Sequence, residues 1–405
     1  MGRARKEQKM QEILISKKKD KKIIALLEDG NLQEVYEEKE DSKRLEGNIY
    51  LGKVKDILPG MQAAFVDIGE EKNTFIHIKD VLPKVSKVTG NKNEDLDKYN
   101  IKDYIKRNSN ILVQVKKDAT NLKGAKISTD LHIPGRFVVV MPKDNFITVS
   151  QKIEDESERK RLTSIAKETI KSDIGLIIRT AAEGKSEEVI KKDIKQTTQK
   201  WDDIKKESEN LKVNEIPKVL YKNNSIIEKI LLDTVDNGIE RILVDDTKTF
   251  EEVQKILRNI DENNKVKVEL KQTDNLLDMY DTDDQIEKLN SRKVWLKCGG
   301  FITIDKTEAL TAIDVNSGKF TGKQNLEETV LKVNEEASCE IARQLRLRDI
   351  GGIIIIDYID MQEAKSREQV LKTLKEALKK DRSKTQVIEF TKLNLLEMTR
   401  KHMFS

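Results

Sequence analysis

In the stretch ALTAIDVNSGKFTG, residues 309–322, Asp314 ends an apolar, strand-like run, Asn316 follows two residues later, and a Ser-Gly turn comes next. A second run, GGIIIIDYIDM at 351–361, ends in the same way on Asp357. Two carboxylates and an amide oxygen form an oxygen-only donor set, which suits a hard cation such as magnesium. The same residue types also close turns with no chemistry at all. Which reading holds depends on whether the fold brings the two acids together.

The surrounding elements predict that it does. FITID and LTAIDV read as a hairpin joined by KTEA, and a helix follows from about Leu326 to Leu347, with Asn325 and Glu328 at capping spacing. The strand GIIIIDY, a helix over REQVLKTLKEALKKD and a final strand TQVIEF come next. Strand, helix and strand in that order imply a right-handed crossover and parallel neighbours. The carboxyl ends of such strands share one sheet edge, where open α/β sheets bind ligands. A strand period of two puts Asn316 on the same face as Asp314. Without a cation between them, two close carboxylates raise each other's pKa. Asp360 is a weaker candidate that serves equally well as a turn cap.

Two phosphate-loop look-alikes are weaker. GKFTGK at 318–323 has one residue too few between its glycines, and Gln324 stands where a Ser or Thr should hold magnesium. RTAAEGKS at 179–186 has the right ending, but Arg179 replaces the first glycine. Arg179 and Thr180 at a strand end instead make an anchor for a terminal phosphate; the bland alternative is a surface salt bridge.

Upstream, NIYLGKVKDIL, GMQAAFVDIG, NTFIHIKDVL, NILVQVKK and GAKISTDL read as five short strands of a small barrel such as an OB-fold. A charged loop interrupts them after Leu82. Phe65 and Phe75 on successive strands, with Lys123 later, could stack on and pair with single-stranded nucleic acid, although phenylalanine is more often core. Residues 12–36 read as two strands with KKKDKK as their turn. GRFVVVMP reads as a strand, ESERKRLTSIAKETIK as an amphipathic helix, GLIIRT as a buried strand and 186–211 as a long polar helix. Helix, strand, helix, strand follow over 224–270, and Thr249-x-x-Glu252 reads as a capping box that accounts for Asp245 and Asp246 structurally.

Composition narrows the function. Of 405 residues, 37% are apolar and 37% charged, and Lys+Arg (76) barely exceeds Asp+Glu (72), so nucleic-acid binding must come from local patches. Cys298 and Cys339 form no C-x-x-C pair, which fits a reducing cytosol and offers no zinc site. Three histidines, His77, His132 and His402, are a poor basis for imidazole chemistry. The N-terminus lacks the apolar region of a secretory signal, and GGIIIIDYI is too short to span a bilayer. A cytoplasmic protein without a membrane span is expected.

EALTAIDVNSG, EIARQLRLRDIGGIIIIDYIDM, LLEMTRK, GLIIRTAAEGKS and AAFVDIGEEKNTFIHI resemble the ribonuclease E/G family, the bacterial endoribonucleases of RNA decay and ribosomal RNA maturation. The similarity runs from about Met10 to Lys401 and is densest between 301 and 361. It implies a multidomain α/β plus β-barrel fold. Residues 1–45 and 223–290 would form a split RNase H-like domain, 46–130 an S-one-type OB-fold, 131–222 a 5′-phosphate sensor and 291–405 a DNase I-like catalytic domain. The family's two magnesium aspartates fall on Asp314 and Asp357, and its catalytic asparagine on Asn316. The 5′-monophosphate sensor falls on Arg179 and Thr180, with backbone around Gly135 and Val139; a supporting arginine of the family is Lys384 here, which keeps the charge and loses the planar fork. RNA-contacting positions fall on Phe65, Phe75 and Lys123. The zinc-linking cysteine pair expected after LLEMTRK does not precede Ser405, so a homodimer without zinc is expected. The resemblance implies a magnesium-dependent endoribonuclease acting on single-stranded A/U-rich RNA, stimulated by a 5′-monophosphate, in rRNA processing and mRNA decay. The alternative is an RNA-binding protein that does not cut.

Overall fold

The computed structural model describes residues 10–39, 44–82, 98–119, 124–170, 173–235, 238–260, 266–274, 276–318 and 326–403. The chain divides into two units, one made of Met1–Asp41 and Gly238–Ser405, the other of Ser42–Asn237. Among the described residues, no helix is long and apolar enough to cross a membrane.

The first unit opens with β1 (Gln11–Lys18), β2 (Lys21–Glu28) and β3 (Asn31–Lys39). These form a three-stranded antiparallel meander, where the sequence reading has two strands. The lysines flanking Lys19 and Asp20 continue the ladder, with Lys18 opposite Lys21, so the KKKDKK turn is only two residues long. A second two-residue turn follows at Asp29 (φ 52°) and Gly30 (φ 74°). Positive φ at both positions matches the right-handed twist of a hairpin, and Asp-Gly adopts it readily.

In the second unit, β4 (Ile49–Leu58), β5 (Ala63–Asp67), β6 (Thr74–His77), β7 (Asn110–Lys117) and β8 (Lys126–Ser128) close a five-stranded barrel. Its order is β4-β5-β6-β8-β7, with β7 pairing back to β4. Val54, Ala64, Val66, Ile76, Val113, Val115 and Ile127 fill it. A second sheet contains β9 (Ile133–Pro134), β10 (Val138–Met141), β11 (Ile147–Val149) and β12 (Gly175–Ile178). Helices α1 (Glu156–Thr169) and α2 (Glu187–Asn210) pack on it through Leu162, Ile165, Ile190 and Ile194. β13 (Lys218–Tyr221) then joins the barrel beside β4, and α3 (Ile226–Thr234) follows.

Back in the first unit, β14 (Ile239–Val244), α4 (Thr247–Ile260) and β15 (Lys267–Leu270) extend the meander into the sheet β15-β14-β1-β2-β3. The cap of α4 is Asp246, not the expected Thr249. The Asp246 carboxylate accepts from the Thr249 N–H and hydroxyl, both at 2.8 Å, while Thr249 is buried within the helix and Glu252 pairs with Lys22 at 2.9 Å. A short acid one residue before the helix reaches its free N–H groups better than a threonine inside it.

The remaining strands are β16 (Lys293–Trp295), β17 (Phe301–Lys306), β18 (Leu310–Asn316), β19 (Gly352–Asp357), β20 (Thr385–Phe390) and β21 (Leu395–Arg400). They form one sheet in the order β16-β17-β18-β19-β21-β20. Helix α5 (Leu326–Leu347) links β18 to β19, and α6 (Ala364–Leu378) links β19 to β20. As expected, β17 and β18 are a hairpin and β18 and β19 are parallel neighbours. TQVIEF, however, is not the last strand and does not neighbour β19. LLEMTR forms β21, which folds back from β20 and pairs antiparallel with both β20 and β19.

The apolar spacing of α5 explains its placement. Val330, Val333, Ala337, Ile341 and Leu345 form one stripe that packs with Ile313, Ile354 and Ile356 of the sheet. Fully burying such an aliphatic side chain contributes roughly 1.5–3 kcal/mol. The helix stops at Asp349, whose φ is 42°, and the Ile350 N–H bonds the Leu345 carbonyl at 3.0 Å. Asn325 and Lys123 lie outside the described residues, so the first-expected cap of α5 and one RNA contact carry no structural account.

Candidate active site

Asp314 and Asp357 are register partners on the parallel strands β18 and β19. Alternation along β18 buries Thr311, Ile313 and Val315 and exposes Ala312 and Asp314. The α5–α6 layer covers the buried face, leaving the carboxylates on the open one. The Asn316 amide nitrogen donates to Asp314 Oδ2 at 2.5 Å. Asn316 thus sits on the expected face, but its nitrogen, not its oxygen, faces Asp314.

The loop after β19 is pinned from beneath. Tyr358 is buried and shares a 2.7 Å hydrogen bond with Ser338 of α5. Buried Asn334 brackets Ile359, donating to its carbonyl at 2.9 Å and accepting its N–H at 3.2 Å. These contacts fix the strand end that carries Asp357, while Asp360 stays exposed. Partial burial pushes the Asp357 carboxyl above its usual range, and the charges of Asp314 and then Asp360 push it further.

The donor set tests which cation it suits. Among the described residues, no cluster of three or more His, Cys, Asp and Glu forms a cage. Two carboxylates with open positions fit magnesium, which keeps several waters and takes substrate phosphates as further ligands. They do not fit structural zinc, which requires four nitrogen or sulfur ligands.

The other expected positions divide between the units. Phe65 and Phe75 are direct partners across β5 and β6, with ring centroids 6.2 Å apart in an edge-on arrangement. Both are half-buried while their neighbours Ala64, Val66 and Ile76 fill the barrel, so the rings lie on its outer surface. That removes the core reading of these phenylalanines. Arg179 directly follows β12. Its guanidinium donates to the Gly135 and Arg136 carbonyls at 3.2 and 3.3 Å, and to Asp233 at 2.5 Å. Thr180 opens a short helical turn and its hydroxyl lies 2.9 Å from that of Ser150. Gly135 cannot carry a side chain, because a Cβ would meet Thr197 Oγ1 at 2.3 Å and the Asp193 carboxylate at 2.8 Å. Val139 is committed to the sheet, opposite Ile177 and Pro134. Lys384 belongs to the other unit and is exposed.

Sequence reasoning missed Asp193. Its half-buried carboxylate accepts the N–H groups of Arg136, Phe137 and Val138 at 3.1, 2.7 and 3.1 Å. Three successive amides would otherwise form an anion nest, and an internal acid fills it. Asp193 looks like any solvated acid of a polar helix, so no local signal could have found it. The look-alike loop at 179–186 is likewise satisfied from within, since Glu158 accepts the Gly184 N–H at 2.9 Å.

A sequence profile of the Ribonuclease E/G family matches residues 132–403. Ribonuclease G of Salmonella typhimurium is 40% identical over 391 residues, covering 96% of this chain and 79% of that protein. Ribonuclease G of Haemophilus influenzae is 39% identical over the same coverage. Ribonuclease E of a Nostoc species is 38% identical over 360 residues, 88% of this chain and 51% of its own length.

Proposed function

The chain belongs to the ribonuclease E/G family and is an endoribonuclease, and from that premise we propose magnesium-dependent hydrolysis of single-stranded, A/U-rich RNA at Asp314 and Asp357. The register that sets these two acids side by side on an open sheet face carries the proposal. A bound magnesium ion supplies an activated water and charge stabilisation at the scissile phosphate. The chain's own part is to hold that centre: Asp314 and Asp357 are its ligands, and Asn316 orients Asp314. Water rather than the 2′-hydroxyl attacks the phosphorus and the 3′-oxygen leaves, so the products carry 5′-phosphate and 3′-hydroxyl ends.

The barrel is an OB-fold of the S-one type and grips unpaired bases. Its outward phenylalanine pair supports this role, and Lys123 is assigned to it from the family resemblance. Arg179 and Thr180 bind a 5′-monophosphate, which raises the effective concentration of the RNA body at the cutting site. The backbone of Gly135 and Val139 is assigned to the same sensor. β1–β3 with β14 and β15 are the split RNase H-like part, and the β16–β21 sheet is the DNase I-like part. In the cell this enzyme works in the cytoplasm on rRNA precursors and mRNA, as a homodimer.

The test uses one A/U-rich oligoribonucleotide with a 5′-monophosphate or a 5′-triphosphate, in magnesium or EDTA, with the product ends mapped. Magnesium-dependent internal cuts, faster on the monophosphate, are expected. A 2′,3′-cyclic phosphate product rules the hydrolytic reading out, and equal rates on the two RNAs rule the sensor out.

A further inference from the structure

The open face of the catalytic sheet carries an aromatic pair that the carboxylate site does not use. Trp295 of β16 pairs with Phe301 of β17, and Phe301 pairs with Asn316 of β18. One step along the strands, Lys293 pairs with Thr303, Thr303 with Asp314, and Asp314 with Asp357. Strand alternation puts all of these side chains on one face. Trp295 is 63% exposed, and its ring meets Phe301 edge-on with centroids 5.3 Å apart. Lys293 Nζ lies 4.0 Å from the Trp295 centroid and 3.5 Å from that of Phe301.

We propose that Trp295 and Phe301, flanked by Lys293, form a stacking shelf for an unpaired nucleobase next to the bond that is cut. Two inter-strand spacings, roughly 10 Å, separate the Trp295 strand from the Asp314 strand. A base on the shelf therefore belongs to a nucleotide neighbouring the scissile phosphate. The charge fits the same occupant. Lys293 offers a cation to the RNA backbone, while Arg292 and Asp305 neutralise each other at 2.5 Å. An exposed indole stacks on any base, most strongly on the larger purines, and a paired base offers no face to it. The shelf thus adds a second requirement for single-stranded RNA, inside the unit that carries the carboxylates.

This inference rests on the assignment of Asp314 and Asp357 as the cutting site, so the experiment separates the two. The substrate is a short single-stranded RNA with one cut site, intact or with a single abasic nucleotide at each position within about three of that bond. For the wild-type enzyme, one abasic position is expected to lower kcat/KM about 10-fold. Trp295→Ala should lose about the same factor on intact RNA and lose nothing further on that one abasic RNA. Trp295→Phe should keep most of the activity. Losses of equal size on every substrate, or none at all, overturn the shelf. So does a change in oligomeric state on sedimentation with a uniform loss, since Trp295 would then contact a second copy of the chain. Asp314→Asn, assayed alongside, decides the cutting site independently: wild-type cleavage by that variant refutes the metal reading whatever Trp295 does.

Discussion

The first unit contains two acid pairs in similar settings, and they are satisfied in opposite ways. Asp245 and Asp246 follow β14, a strand with parallel neighbours on both sides. Asp245 accepts the Ser16 hydroxyl at 2.6 Å and the Lys17 N–H at 2.8 Å, and Asp246 caps α4. Asp314 and Asp357 also stand at the carboxyl ends of parallel strands, yet Asp314 receives one amide and Asp357 faces Asp314 itself. Burial raises both Asp245 and Asp357. Hydrogen bonds from Ser16 and Lys17 oppose the rise in Asp245, while the charges of Asp314 and Asp360 add to it in Asp357. Position at a strand end does not decide what an acid does. What decides is whether the protein itself supplies the donors its lone pairs need.

That contrast can be broken most sharply by exchanging acid for amide at each pair. Asp314→Asn or Asp357→Asn should lower cleavage by about 10³-fold or more without lowering the melting temperature, since a ligand is lost and a repulsion relieved. A large loss of stability in either variant would mean that this pair, too, is structural. Magnesium should raise the melting temperature of the wild type, by about 2.7 kcal/mol of stability at a hundredfold excess over Kd, and leave that of Asp314→Asn nearly unmoved.

Asp245→Asn should do the reverse, costing about 1–3 kcal/mol in denaturant titration while cleavage per folded molecule stays at the wild-type level. Asp246→Ala should cost about 1 kcal/mol through the lost cap. Partial burial raises the Asp246 carboxyl, but the Thr249 N–H and hydroxyl outweigh it and hold the group below its ordinary value. A depressed folded pKa gives stability above the unfolded value that is lost as pH falls through the folded one. The gap between wild type and Asp246→Ala should therefore narrow on acidification; a gap that is constant with pH would remove the charge from the account.

Much of the architecture could be read locally. The strand that carries Asp314, the helix from Leu326 to Leu347 and the five short barrel strands are patterns of neighbouring residues, and the fold contains each of them. The fold departs from the sequence pattern where a boundary depends on a few residues. The first meander has a second turn at Asp29 and Gly30, and the cap of α4 is Asp246 although the S/T-x-x-E signature points to Thr249. β21 went unread because LLEMTR is a short run whose pairing, between β19 and β20, no local pattern specifies.

By itself the sequence determined that two strands end in acids, that a helix must carry the chain from one to the other, and that their carboxyl ends share an edge. Only the tertiary structure decided that Asp314 and Asp357 are direct partners, that Phe65 and Phe75 face outward, and that Trp295 and Phe301 fall in line with Asn316. The physical reason is that periodicity is written in adjacent residues, whereas register and hydrogen-bond satisfaction come from distant ones. Ser16 settles the role of Asp245, 229 residues away, whereas Asp357 has another acid, Asp314, as its register partner.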